Sequence, residues 1–166
     1  MKFFRNKRMR IIITGPAASG KDELRKRFEA KGFTYAKPYT TRPKRNGETD
    51  SDYHFITEDE FLKLQETDCF LVTNIYNGWM YGITRTDFVC YDVSVMTPEY
   101  ISDIKRKHSD LLDTFMIILL MPDESVRMER LRMRNDADSV ERRIAADRKQ
   151  FENFTCYDVV ITDPYF

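Results

Sequence analysis

Residues 9–22 read MRIIITGPAASGKD: a β-branched run, an abrupt Gly-Pro stop, then glycine and lysine. The apolar run 9–14 has the length and composition of a buried strand. Gly15, Pro16, Ala17, Ala18, Ser19, Gly20 and Lys21 then spell G-x4-G-K, the pattern of a loop whose backbone N–H groups wrap phosphates. From Lys21 onward the pattern turns helical: Leu24 and Phe28 are one turn apart, Arg25 and Glu29 can pair, and Gly32 supplies a stop. A helix N-terminus placed directly after the loop adds partial positive charge where an anion would lie. The position after the lysine usually carries Ser or Thr, whose hydroxyl sits on Mg²⁺; here it is Asp22. A carboxylate there has two readings. It is a first-turn acid favoured by the helix dipole, or it holds the metal, directly or through a water.

Outward from this stretch, FTYAK (33–37) reads as a second strand and residues 38–56 as a polar, basic, turn-rich segment. A helix is expected at about 58–67, then two strands, CFLVTNIY and WMYGI, joined by Asn77-Gly78, a strong hairpin signal. DFVCYDVSV reads as a core strand followed by a helix near 98–108. TFMIILLM (114–121) is the most apolar run and the expected central strand. Residues 123–154 form two charged helical stretches split near Asn135-Asp136, and YDVVIT (157–162) is a last strand. Strand–helix alternation in the outer parts predicts an α/β fold on a parallel sheet, with the hairpin region inserted.

The chain has 166 residues, enough for one domain with a real core. Lys plus Arg and Asp plus Glu both number 27, so the basic excess of a nonspecific nucleic-acid binder is missing and that partner class is set aside. No apolar run approaches the ~20 residues of a membrane span, so no membrane partner is expected either. Cys69, Cys90 and Cys156 show no C-x-x-C spacing and read as buried thiols in a reducing compartment; the cytoplasm is the expected location.

YTTRPKRNGETDSDYHFIT (39–57) gathers Arg42, Arg45 and Tyr53 outside the core strands. The segment resembles the acceptor-binding stretch of the guanylate kinase family, T-T-R-x-x-R-x-G-E-x-x-G-x-D-Y-x-F. MYGIT resembles the family's Y-Y-G-T/S, RMERLRMRN with ERRIAADR resembles its arginine-bearing lid, and YDVVITD its closing strand. The resemblance spans nearly the whole chain in the family's order. It implies a P-loop NTPase fold made of one domain over 1–166, with core 1–37, 86–122 and 155–166, an acceptor-binding insertion 38–85 and a helical lid 123–154. It also implies ATP and Mg²⁺, with Asp22 as the candidate metal residue. By position, acceptor-phosphate ligands fall on Arg42, Arg45, Tyr53 and Tyr81, and lid arginines on Arg134 and Arg143. Two guanidiniums and two phenols suit a phosphate dianion. Asp92 is the candidate acidic partner for metal or acceptor.

The departures concern the base. The family's guanine-reading glutamate falls on Val72, its serine near the Y-G turn on Ile83, and a further serine on Pro38 or Tyr39. Val72 and Ile83 carry no polar group with which to read guanine, and Thr73 or Asn74 could serve another base. Lysine followed by Asp also occurs in ribose 1,5-bisphosphate phosphokinases and in phage-type deoxynucleoside monophosphate kinases. The expected activity is therefore ATP-dependent phosphorylation of a nucleoside or deoxynucleoside monophosphate by a monomer or weak homodimer. The alternatives are a kinase of another phosphorylated small molecule, such as ribose 1,5-bisphosphate, and a non-catalytic module that binds phosphopeptides.

Overall fold

A computed structural model describes residues 10–134 and 139–166. The β-branched run becomes β1 (Arg10–Thr14), and the helix after the loop is α1 (Lys21–Ala30). Alternate side chains of a strand point to opposite faces, and β1 uses both. Ile11 and Ile13 join Ile118 and Leu120 under Leu24 and Phe28 of α1. Ile12 joins Ile117 on the other face, with Ile101 and Ile104 of α4 (Pro98–Lys107). Helices on both faces explain why the strand is apolar without alternation.

Between β1 and α4 the chain builds a second sheet. It comprises β2 (Tyr39–Thr40), β3 (His54–Phe55), β4 (Phe70–Tyr76) and β5 (Trp79–Thr84), in the order β3-β2-β5-β4. The hairpin turn falls on Asn77 and Gly78, with φ of 51° and 80°, the left-handed pair that a two-residue turn requires. Preceding the hairpin, α2 (Glu58–Glu66) starts with a capping box in which Thr57 and Glu60 bond each other's backbone N–H.

The core sheet is β6 (Val93–Val95), β1, β7 (Phe115–Leu120) and β8 (Val159–Ile161) in that order, all parallel. Short α5 (Ser109–Leu112) leads into β7, and α6 (Glu124–Arg134) and α7 (Val140–Phe151) lie between β7 and β8. The fold class is thus α/β with a central parallel sheet, as expected. The break expected near Asn135-Asp136 lies outside the described residues.

Three local expectations are corrected. Residues 33–37 contribute one bridge, Tyr35 to Val93, rather than a full strand. DFVC belongs to α3 (Arg85–Cys90), where the Thr84 side chain accepts from the Asp87 N–H, so the strand starts only at Val93. A local cap outweighed the β-rich composition of that run. Cys90 is exposed, not buried.

Candidate active site

The loop after β1 takes a shape that its glycines permit. Gly15 has φ 154°, and a Cβ there would stand 2.5 Å from the Leu120 carbonyl oxygen. Gly20, the residue before α1, has φ 99°. Lys21 Nζ donates to the Gly15 and Pro16 carbonyls at 2.7 Å each, folding back over the loop it belongs to. Burial lowers its pKa to about 8, partly offset by Asp22 and Asp147, while Arg134 and Arg127 push further down. Ser19 is fully buried, and its Oγ has no hydrogen-bond partner.

Asp22 follows in the first turn of α1, its side chain 72% exposed and 3.9 Å from Arg25 Nε. Among the described residues no group of three or more His, Cys, Asp or Glu stands together as a metal cage. A single open carboxylate beside a phosphate loop suits Mg²⁺, which keeps most of its ligands as water and substrate phosphate.

The acceptor segment is organised by an ion pair. Both Arg42 Nη atoms fork onto Glu48 at 2.8 and 2.9 Å, and Glu48 also accepts the Arg45 backbone N–H at 2.7 Å. Burial opposes the charge on Arg42, but the Glu48 hydrogen bond outweighs it and the pKa rises. The guanidinium also lies over the rings of Tyr53 and Phe55, at 5.4 and 5.8 Å. Tyr53 meets Tyr81 edge to face at 6.4 Å, and burial lifts its pKa to about 12. Both phenols reach the site from short strands or the turn before them, so the second sheet serves as their frame.

One cavity of about 1190 Å³ joins these parts. Gly15, Ala17, Ala18, Ser19, Gly20, Lys21 and Asp22 line it from the loop, Arg42, Arg45, Tyr53 and Tyr81 from the second sheet and the segment between β2 and β3, and Arg134 and Arg143 from α6 and α7. Residues distant in sequence thus face a common space.

Three expected residues stand elsewhere. Asp92 precedes β6, level with Arg10, so it lies roughly 16 Å of strand from the loop at about 3.3 Å per residue. Its carboxylate accepts from the Thr34 N–H and hydroxyl, both at 2.8 Å, and ties strand to loop. It is a structural acid at the opposite end of the sheet. Val72 and Ile83 are cross-strand partners, 5% and 2% exposed, in the core cluster with Tyr100. Neither lines the cavity, so they contribute packing and not contact. Pro16, also outside the lining, acts through its carbonyl on Lys21.

Other residues enter to which the sequence reading gives no role or, for Arg130 and Arg148, only a weaker one in the lid. Glu48 was visible as the acid of R-x-x-R-x-G-E, but its hold on Arg42 required the fold. Asp147 on α7 accepts the Ala17 N–H at 3.0 Å and Arg127 Nη1 at 2.8 Å, pinning the lid to the loop. Arg130 donates to the Ala18 and Pro164 carbonyls. Arg148 pairs with Glu124 on the lid surface. Tyr100 on α4 donates its hydroxyl to the Tyr81 carbonyl at 2.9 Å and meets Asn74 Oδ1 at 3.1 Å. Nothing in residue type or spacing marks Asp147 or Tyr100.

The family model "Guanylate kinase" matches residues 7–166. A guanylate kinase of Onion yellows phytoplasma (strain OY-M) is 30% identical over 165 residues, covering 92% of this chain and 77% of the relative. One from Aster yellows witches'-broom phytoplasma (strain AYWB) is 31% identical over 165 residues, with the same coverage of 92% and 77%. Among solved structures, guanylate kinase from Anaplasma phagocytophilum superposes with a TM-score of 0.69 at 20% identity, covering 96% of this chain and 80% of that one. That likeness shows the shared P-loop NTPase fold. With one family model spanning residues 7–166 and relatives at this identity, the chain belongs to the guanylate kinase family.

Proposed function

We propose that this protein transfers the γ-phosphoryl group of ATP to a nucleoside or deoxynucleoside monophosphate, giving ADP and a nucleoside diphosphate. The carrying observation is the shared cavity: the phosphate loop, the acceptor cations and phenols, and the lid arginines all face it. In this reading residues 38–85 hold the acceptor, residues 123–154 form the lid, and Arg42, Arg45, Tyr53 and Tyr81 grip the acceptor phosphate.

Phosphoryl transfer proceeds through a loose transition state, so the protein's task is positioning and charge neutralisation. An acceptor phosphate oxygen attacks the γ-phosphorus while the bond to the bridging oxygen of ADP breaks. Lys21 leaves the loop carbonyls and donates to the β- and γ-phosphates, and Arg134 and Arg143 stabilise the equatorial oxygens. Glu48 keeps the Arg42 fork aimed and cuts the entropy lost when the acceptor binds. Mg²⁺, held through Asp22, would supply charge neutralisation between the phosphates.

The test is a panel of GMP, AMP, dTMP, dCMP and ribose 1,5-bisphosphate with ATP, read as ADP release. Expected is turnover of a nucleotide, abolished by Lys21→Ala with the fold intact, and no hundredfold preference for GMP. Undiminished ADP release by Lys21→Ala removes the kinase reading.

A further inference from the structure

The cations of the cavity stand on α1, which begins at Lys21, on the segment between β2 and β3, and on α6 and α7. The wall made by β4 and the start of α4 carries none: it is built from residues such as Ile75, Met96 and Pro98 around Asn74 and Tyr100. An uncharged part of the acceptor must meet this wall. Of its other polar side chains, Thr97 is the cap of α4 and Glu99 is bonded to Gln150, while Tyr76 stands 43% exposed at the end of β4.

Tyr100 Oη contacts two groups, the Tyr81 carbonyl at 2.9 Å and Asn74 Oδ1 at 3.1 Å. A phenol has one proton and a backbone carbonyl only accepts, so that proton belongs to Tyr81 O. The second contact is then satisfied when the Asn74 amide is turned over, its NH₂ donating to Tyr100 Oη; the network decides amide orientation. That arrangement leaves the amide oxygen of Asn74 toward the cavity. Tyr100 is 6% exposed and packs with Val72 and Ile83, so the amide is held on a rigid, apolar base.

We propose that Asn74 is the residue that selects the acceptor base, accepting a hydrogen bond from an exocyclic amine, and that Tyr100 is its positioning residue. The favoured acceptors are then 6-aminopurine or 4-aminopyrimidine monophosphates over their keto counterparts. This inference rests on the kinase reading above. The family's charged reader at Val72 is replaced by a neutral amide one pleat along the same strand face.

Matched pairs test the group: AMP against IMP, and CMP against UMP, exchange the exocyclic amine for a keto oxygen and, with it, the adjacent ring nitrogen from acceptor to N–H donor. Dissociation constants measured by calorimetry on the intact protein should favour the amino member of whichever pair the cavity accepts by about fivefold to tenfold, the size of one hydrogen bond. Asn74→Ala should bring the ratio near one. Tyr100→Phe should do the same by freeing the amide to turn either way, whereas a merely structural tyrosine would weaken both members alike. A preference for the keto member, or a ratio unchanged in both variants, overturns the proposal alone. An unmodified protein that binds none of the four overturns it as well, while the kinase reading is decided separately by ADP release with the wider acceptor panel.

Discussion

Lys21 carries two opposed demands. Its ammonium must face phosphate, yet burial makes the charge costly and brings the pKa down to about 8. The free enzyme therefore loses the charged form as pH rises through about 8, well before an ordinary lysine at 10.5 would titrate. The expected result is a kcat/KM for ATP that falls above pH 8, while kcat at saturating ATP falls later because bound phosphate favours the charge. A profile flat to pH 10 would mean that Lys21 keeps its charge despite burial or does not serve as the phosphate clamp. Val72 and Ile83 raise a different question. The family carries a polar pair at these positions, so exchanging them back invites the thought of restoring GMP preference. Their burial in one core cluster says otherwise. Val72→Glu with Ile83→Ser should place a carboxylate among Phe88, Ile101 and Ile104, costing several kcal/mol, on the order of an unpaired buried polar group. A thermal melt checks this; an unshifted Tm with a gain in GMP turnover would show that the pair does reach the base.

The helices α6 and α7 meet the loop through Asp147, beside the Arg127 and Arg130 donors to the Ala17 and Ala18 carbonyls. Asp147 of α7 bonds the Ala17 N–H and receives Arg127 of α6, whose side chain is 5% exposed. Removing Asp147 leaves the loop amide unpaired and takes from the buried Arg127 its 2.8 Å carboxylate, with the Ala17 carbonyl at 3.4 Å and Glu124 at 3.9 Å remaining, a loss of about 1.5–3 kcal/mol. Asp147→Ala should lower the Tm and raise the KM for ATP more than that for the acceptor; a rise confined to the acceptor would place Asp147 outside the donor side. Nothing in the sequence announces this pair, because it joins positions 20 residues apart on two helices to a backbone amide. The strand–loop–helix unit, by contrast, was readable, since a β-branched run, two glycines and an amphipathic turn are adjacent in the chain. So was the hairpin, from Asn77-Gly78. DFVC was misread because composition favours a strand while a Thr84–Asp87 cap, a matter of local hydrogen bonding, starts a helix. Asp92 was misplaced for a related reason: a strand's acid can be recognised in sequence, but which end of the sheet it faces depends on register.

Helix α1 and the segment between β2 and β3, the proposed donor and acceptor sides, meet at a buried cation. Arg25 of α1 is 1% exposed, bonds Glu29 on its own helix at 2.6 Å and Asp52 of the acceptor segment at 2.6 Å, and lies 4.4 Å over the Tyr35 ring. The helix that begins at the phosphate lysine thus holds the segment that carries Arg42 and Tyr53. Each half reads as a separate motif, but this joint makes their distance a property of the whole fold. Two substitutions separate the roles. Arg42→Ala removes a proposed phosphate ligand and should raise the acceptor KM with little change in ATP affinity. Asp52→Ala touches no expected ligand, yet it leaves Arg25 with Glu29 as its remaining close carboxylate. The loss of a charged hydrogen bond, about 1.5–3 kcal/mol, predicts a fall in Tm of roughly 4–10 °C for a chain of this size. Because the joint sets the gap between donor and acceptor, Asp52→Ala should also lower kcat, since small misplacements are costly in phosphoryl transfer. Steady-state kinetics beside a melt distinguishes the cases. A destabilised Asp52→Ala with unchanged kcat below its Tm would mean that the two halves are aligned by the β-sheets alone and that Arg25 only fills the space between them.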